Sequence, residues 1–279
     1  MTTFREKLCA AQEAHQSWLC VGLDPDPAQM PAVPGLEGAA GIAAFCRAII
    51  EATHALVCAF KPNMAFFLAH GAEGLRALEE TIRAVPDDVP VVLDAKLGDI
   101  GNTQRLYGEA IFGVLGAGAV TISPYMGEDV IVPLLEGYPG RGVYIVCRSS
   151  NPDGGRFQNH PGHSPYLYEQ VADAALGWAR AYSQSLVGLV VGATQPEEMA
   201  TLRKLAPELP FLVPGVGAQG GSLDAAVRHG ADINGLGPLI NVSRGVLYAS
   251  KGPEYASAAR GEAIRLRDEI NRLREQSPR

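Results

Sequence analysis

Eight short apolar runs recur along the chain, each parted from the next by a segment of helical character. This repeat limits the fold more than any other feature. The runs are 18–23 (WLCVGL), 56–61, 89–95, 118–122, 142–147, 187–192, 211–214 and 231–236. They are continuously apolar rather than alternating, the pattern of parallel strands covered on both faces. The segments between them, such as GIAAFCRAIIEATH and AEGLRALEETIRAV, space apolar residues three and four apart, as a helix with one buried face requires. Eight such units without a linker predict a single (β/α)8 TIM barrel over 1–279, with an open doubly wound sheet as the competitor. A helix is expected before the first strand, at about 2–16. A closing helix is expected at about 253–275, where Ile264, Leu266, Ile270 and Leu273 fall on a helical period.

Composition narrows the class of partner. Of 279 residues 47% are hydrophobic and 19% charged, enough to bury a sizeable core, and the formal net charge is −7. An acidic balance without basic clusters argues against non-specific binding to nucleic acid or to an anionic membrane. An anionic ligand must therefore be held by a local site. The five cysteines include no C-x-x-C pair and mostly lie in apolar runs, which suits a reducing compartment. The N-terminal segment has scattered charges and no apolar signal core, and no stretch is expected to reach the 18 or more apolar residues of a membrane span. The expectation is a cytoplasmic protein with no membrane partner.

Several strands end on polar residues. Asp24 follows VGL, Lys61 follows CAF, Asp94 and Lys96 follow VVL, and Arg148, Ser149, Ser150 and Asn151 follow YIVC. Alternation places Asp94 and Lys96 on one face of their strand, and at the C-terminal end of a barrel strand that face looks into the mouth. Asp99 falls just beyond, in the loop. Two readings are open: structural ion pairs at a rim, or a charged site. An exposed-rim pair at about 4 Å is worth ~4 kcal/mol at an effective dielectric of 20, before desolvation is subtracted. Two lysines and several aspartates around one mouth are therefore an inefficient source of stability, and such clusters more often mark function.

The stretch PGVGAQGGS (214–222) contains a formal G-x-G-x-x-G at Gly215, Gly217 and Gly220. A dinucleotide fingerprint belongs in a first βα unit, whereas this copy follows the seventh strand, where barrels bind phosphate through backbone N–H groups. Arg244, in the eighth unit, is placed to pair with the same phosphate through its planar fork, or is a surface arginine. Gln219 is a phosphate contact or a solvated loop residue. His160 and His163 resemble a metal pair without an evident third ligand and read as loop residues. The connection 148–168, rich in Gly, Pro and Asn, is long enough to cover a site.

The segment Asp94-Ala95-Lys96-Leu97-Gly98-Asp99-Ile100-Gly101-Asn102-Thr103 resembles the D-A-K-x-x-D-I-x-x-T signature of the orotidine 5′-phosphate decarboxylase family. VGLDP, FKPN, RSSNP, PGVGAQGG and INVSRG resemble that family's other site segments, in order, over nearly the whole chain. The form is similar to that of a longer bacterial subgroup, with Leu97 where that subgroup carries a basic residue. The resemblance implies decarboxylation of orotidine 5′-monophosphate (OMP) to UMP, the last step of de novo pyrimidine nucleotide synthesis, with no metal or cofactor. It implies catalytic roles for Lys96, Asp94, Asp99 and Lys61. It implies substrate binding by Asp24, Thr103, Ser150, Asn151, Gln219, Arg244, Gly217 and Gly220, with Ser149 adjacent to the aligned serine. A homodimer is implied, with Asp99 and Thr103 reaching into the neighbouring subunit's site. The D-x-K-x-x-D element is shared with magnesium-dependent sugar-phosphate decarboxylases and synthases of similar barrels, which stay open as an alternative, as do a Schiff-base aldolase and a non-catalytic phosphosugar-binding barrel.

Overall fold

The computed structural model describes residues 2–162, 164–217 and 220–276. Eight parallel strands run in the order β2-β1-β8-β7-β6-β5-β4-β3. They are β1 (Leu19–Leu23), β2 (Ala59–Pro62), β3 (Val92–Leu97), β4 (Ala119–Ile122), β5 (Gly142–Arg148), β6 (Leu186–Val191), β7 (Phe211–Val213) and β8 (Leu239–Val242). The sheet closes where β2 meets β3, through the parallel bridges Phe60↔Val91 and Asn63↔Asp94. This is a (β/α)8 barrel with helices between the strands.

Seven strands fall on predicted runs, and the eighth does not. The run at 231–236 is a turn: the Asp232 carboxylate accepts from the N–H groups of Asn234 and Leu236, and Gly235 takes φ 85. A carboxylate that satisfies nearby backbone donors competes with a strand ladder. The strand is instead the four-residue LINV, which follows Pro238.

Strand side chains divide between two layers. Leu19, Val21, Leu93, Val120, Val143, Ile145, Val187, Leu189 and Phe211 face the helices in the larger core. Cys20, Ala59, Val92, Ala119, Tyr144, Leu186, Leu212 and Leu239 fill the barrel's interior. The helix Phe4–Ala14, started by a Thr3–Glu6 capping box, plugs the N-terminal end of that interior with Phe4 and Leu8. Phe4 meets Tyr144 edge-on at 6.3 Å. Gly118 and Gly142 make room for it, since a Cβ on either would come within 3 Å of the Phe4 ring. The barrel interior is thereby sealed at that end, whereas at the strands' C-terminal ends a cavity opens over charged side chains.

By length and composition the stretch Gly38–Leu56, of mean hydropathy 1.3, would suffice to cross a membrane, which corrects the expectation that no such stretch exists. Half of that window is buried within the fold. Ile42, Phe45, Cys46, Ile49 and Ile50 lie in the larger core, while Arg47 and Glu51 face outward. The helix Tyr255–Gln276 packs Ala259, Ala263, Leu266 and Ile270 into the same core.

Candidate active site

Continuing the inward register toward the C-terminal ends brings Lys61, Asp94 and Thr121 to one level above the packed interior. Lys61 Nζ lies 2.8 Å from Asp94 Oδ2, and Lys96 Nζ lies 2.5 Å from Asp94 Oδ1. One carboxylate is thus gripped by two ammonium groups, one per oxygen. Lys61 and Asp94 are buried, whereas the Lys96 side chain is 51% exposed and reaches into the open mouth. Burial works against the charged forms of both buried partners. For Asp94 the charges of Lys61 and Lys96 outweigh burial and hold the carboxyl well below its ordinary range. For Lys61 the charges of Asp94 and then Asp24 outweigh it and hold the ammonium above its ordinary range.

Lys96 does not reach the mouth by simple alternation. In the β3–β4 ladder Leu93 pairs with Val120, but the next pair is Leu97 with Ile122. Three residues, Asp94, Ala95 and Lys96, therefore stand opposite Thr121 alone. This bulge puts Lys96 at φ 48, a left-handed conformation that is uncommon for a residue with a Cβ. Bulges of this kind re-aim side chains next to active sites.

A cavity of about 340 Å³ opens over the array. Asp24, Lys61, Asn63, Asp94 and Lys96 line one wall. Asp24 Oδ1 is buried with no hydrogen-bond partner among the described residues. Its loop is fixed from behind by the Tyr248 hydroxyl, which donates to Asp24 O (2.8 Å) and accepts from Asp26 N (2.7 Å). Asp24 therefore presents a carboxylate oxygen that a ligand hydroxyl can satisfy.

Ser149, Ser150 and Asn151 line a second wall. The Ser149 hydroxyl is engaged with the Gln158 side chain at 2.9–3.1 Å, whereas Ser150 is held through its backbone, its carbonyl accepting from Thr194 Oγ1 at 2.8 Å. Gly192 allows the close approach, as a Cβ there would lie 2.6 Å from the Ser150 backbone. The long connection is not structureless: it contains the short helical turns Pro152–Gly154 and Gly155–Gln158. Buried Arg148 ties it down, donating to Ser149 O, Gln158 Oε1, Gln195 Oε1 (2.8 Å) and Glu198 Oε1 (3.3 Å).

The far rim is formed by Gly215, Gly217, Ser243 and Arg244. Gly215, Gly217 and Gly220 all have positive φ, from 75 to 93. Gly220 N donates to Gly217 O at 2.7 Å, closing the turn, and Gly220 itself is outside the cavity lining. Gln219 lies outside the described residues, as does His163. Arg244 is exposed at the start of a short helix, Arg244–Leu247. Nearby Arg265 is already neutralised by Glu262 and Glu269, with contacts of 2.7–2.8 Å. Among the described residues, no group of three or more His, Cys, Asp or Glu side chains is placed to hold a metal ion.

The family model described as "Orotidine 5'-phosphate decarboxylase / HUMPS family" matches residues 17–259. The chain belongs to this family. It is 50% identical over 254 residues to an orotidine 5'-phosphate decarboxylase of Verminephrobacter eiseniae, covering 88% of this chain and 90% of that protein. Among solved structures it is similar to Leishmania donovani OMP decarboxylase, with TM-score 0.85, 42% identity and coverage of 98% and 99% of the two chains. It is also similar to L. donovani UMP synthase (TM-score 0.87, 44% identity), of which it spans 57% of the length while 98% of this chain is covered.

Besides Gly220, two more residues singled out by resemblance to the family, Asp99 and Thr103, are outside the lining of their own chain's cavity. Asp99 sits on the loop after β3, where its carboxylate accepts from Ile100 N at 2.8 Å, and Thr103 is exposed on the helix Gly101–Gly108. Other contributors went unread in the sequence. Thr121 and Tyr248 touch the site's residues directly, and Gln195 and Glu198 act through Arg148. The only trace of Thr121 in the sequence is a lone hydroxyl in the apolar run GAVTI.

Proposed function

We propose that this protein is an orotidine 5′-phosphate decarboxylase, converting OMP to UMP and CO2 with its own side chains and no metal or cofactor. The observation that carries the proposal is the Asp94 carboxylate clamped between Lys61 and Lys96 at the floor of a cavity whose far rim carries Arg244.

The substrate's phosphate would lie against Arg244, Gly217 and the 214–222 turn, with Gln219 and Gly220 completing the loop. Arg244 supplies a planar fork for paired phosphate oxygens. Asp24 and Lys61 would hold the ribose hydroxyls. Ser150 would read the pyrimidine edge, since the Ser149 hydroxyl is already spent on Gln158, and Asn151 would border the ring. The ring is then set with its C6 carboxylate over Asp94. As the C6–carboxylate bond breaks, its electron pair stays on C6 and CO2 departs. The Lys96 ammonium delivers its proton to C6, and the resulting neutral amine is reprotonated from solvent. Charges fixed before the reaction need no reorganisation while the carbanionic character develops, which is where such arrays act most strongly. Binding energy from the remote phosphate can be spent on holding the carboxylate near Asp94.

The same reading makes the working unit a homodimer. Asp99 and Thr103, which are outside the lining of their own cavity, would serve the neighbouring subunit's site. The proposed setting is cytoplasmic, and the reaction closes de novo pyrimidine nucleotide synthesis.

The experiment is to follow loss of the OMP chromophore with purified protein in EDTA. Turnover is expected. Turnover that appears only when magnesium is restored would contradict the metal-free mechanism, and absence of OMP turnover under both conditions would overturn the assignment.

A further inference from the structure

We propose that Thr121 is a positioning residue for the charge array: its hydroxyl holds the β3 bulge that aims Lys96 and orients the Asp94 carboxylate. The inference rests on the decarboxylase reading for its kinetic consequence, but its geometric content is independent of the reaction.

A threonine hydroxyl offers one donor and two acceptor sites. Thr121 Oγ1 receives Ala95 N–H and Lys96 N–H, both at 3.0 Å, and donates to Asp94 Oδ1 at 2.9 Å. All three capacities are spent, so the hydroxyl cannot turn without orphaning a group. The direction of the chain of bonds is fixed as well. With both lone pairs taken by N–H donors, the hydroxyl proton can go only to Asp94, which must accept it.

The bulge explains why these bonds are needed. Because Asp94, Ala95 and Lys96 all stand opposite one β4 residue, regular ladder bonds are not available to the Ala95 and Lys96 amides. Buried N–H groups left unpaired are costly, and here a side chain takes the role of the missing β4 carbonyls. The same bonds hold Lys96 at φ 48, a conformation that persists in a residue with a Cβ only when its surroundings determine it. Asp94 Oδ1 is shared by Thr121 and by Lys96 Nζ, so one hydroxyl fixes both the backbone that carries the lysine and the carboxylate that receives it.

The test compares Thr121→Val and Thr121→Ser with the wild type, measuring OMP turnover, UMP affinity and the crystallographic backbone at Lys96. Valine keeps the shape and removes the hydroxyl; serine keeps the hydroxyl. For Thr121→Val we expect kcat to fall by roughly 10–100-fold, the scale of a misplaced reacting group, with UMP affinity changed by less than about 3-fold. Lys96 should relax from its left-handed φ, and Thr121→Ser should restore both kcat and backbone. Unchanged kcat in Thr121→Val, a Lys96 φ that stays near its present value, or a serine variant as impaired as the valine one would overturn the proposal. If Thr121→Val does not fold, Thr121→Ala against Thr121→Ser carries the same comparison. Failure of the decarboxylase reading is separate: it appears as no OMP turnover by the wild type, while the Lys96 backbone in the valine variant still decides the role of Thr121.

Discussion

Lys61 and Asp94 meet across the seam that closes the barrel. They belong to β2 and β3, which also meet at the bridges Phe60↔Val91 and Asn63↔Asp94, and their charged atoms lie 2.8 Å apart with both side chains less than a tenth exposed. The chemistry of the site and the closure of the fold therefore share one contact.

Asp94→Asn should weaken the fold as well as the reaction. It would leave buried Lys61 without its main counter-charge, and removing one partner of a buried pair typically costs about 3–5 kcal/mol. A fall in Tm of roughly 5–10 °C is expected by scanning calorimetry. An unchanged Tm would show that the ion pair does not brace the seam.

The pair also sets a pH window. The Asp94 carboxyl is held low in the folded state, so its contribution is complete above its unfolded pKa near 4 and is lost as pH falls further. The Lys61 ammonium is held high, so its contribution is complete below an unfolded pKa near 10.4 and is lost as pH rises through its folded value. Denaturant unfolding from pH 3 to 11 should show an acid limb that Asp94→Asn flattens. A variant with the same acid limb as the wild type would place the titration elsewhere.

Arg244→Ala should act on phosphate. Its loss is expected to weaken UMP by roughly 10–100-fold, the scale of a charge-assisted hydrogen bond or two, while uridine binding hardly changes. Calorimetric titration of both ligands checks this, and equal effects on the two would mean the phosphate lies elsewhere.

Mixing two inactive variants tests whether sites are shared between subunits. Random pairing of Lys96→Ala with Asp99→Ala makes half the dimers hybrids, each with one intact site, so about one quarter of wild-type activity should return. No recovery would confine Asp99 to its own chain.

Much of this was legible in the residues, and the exceptions have physical causes. Continuous apolar runs announce strands covered on both faces, which is why β1 to β7 could be read. β8 could not, because ADINGL looks apolar while Asp232 folds it into a turn, and LINV is only four residues long. Alternation predicts Asp94 and Lys96 on one face looking into the mouth, and both residues line the cavity. The route is different: a bulge with three residues opposite Thr121 delivers Lys96, and no periodicity encodes a bulge. Thr121, Tyr248 and Glu198 contact groups far away in sequence, so spacing alone could not single them out.

The central claim is that the Lys61–Asp94–Lys96 array removes CO2 from OMP and returns a proton to C6. Its most direct measurement is the reaction of EDTA-treated protein with OMP in D2O, followed by NMR of the product. The account predicts UMP carrying one deuteron at C6, with one CO2 released for each OMP consumed. OMP left intact, or CO2 released only after a divalent metal is restored, would contradict it.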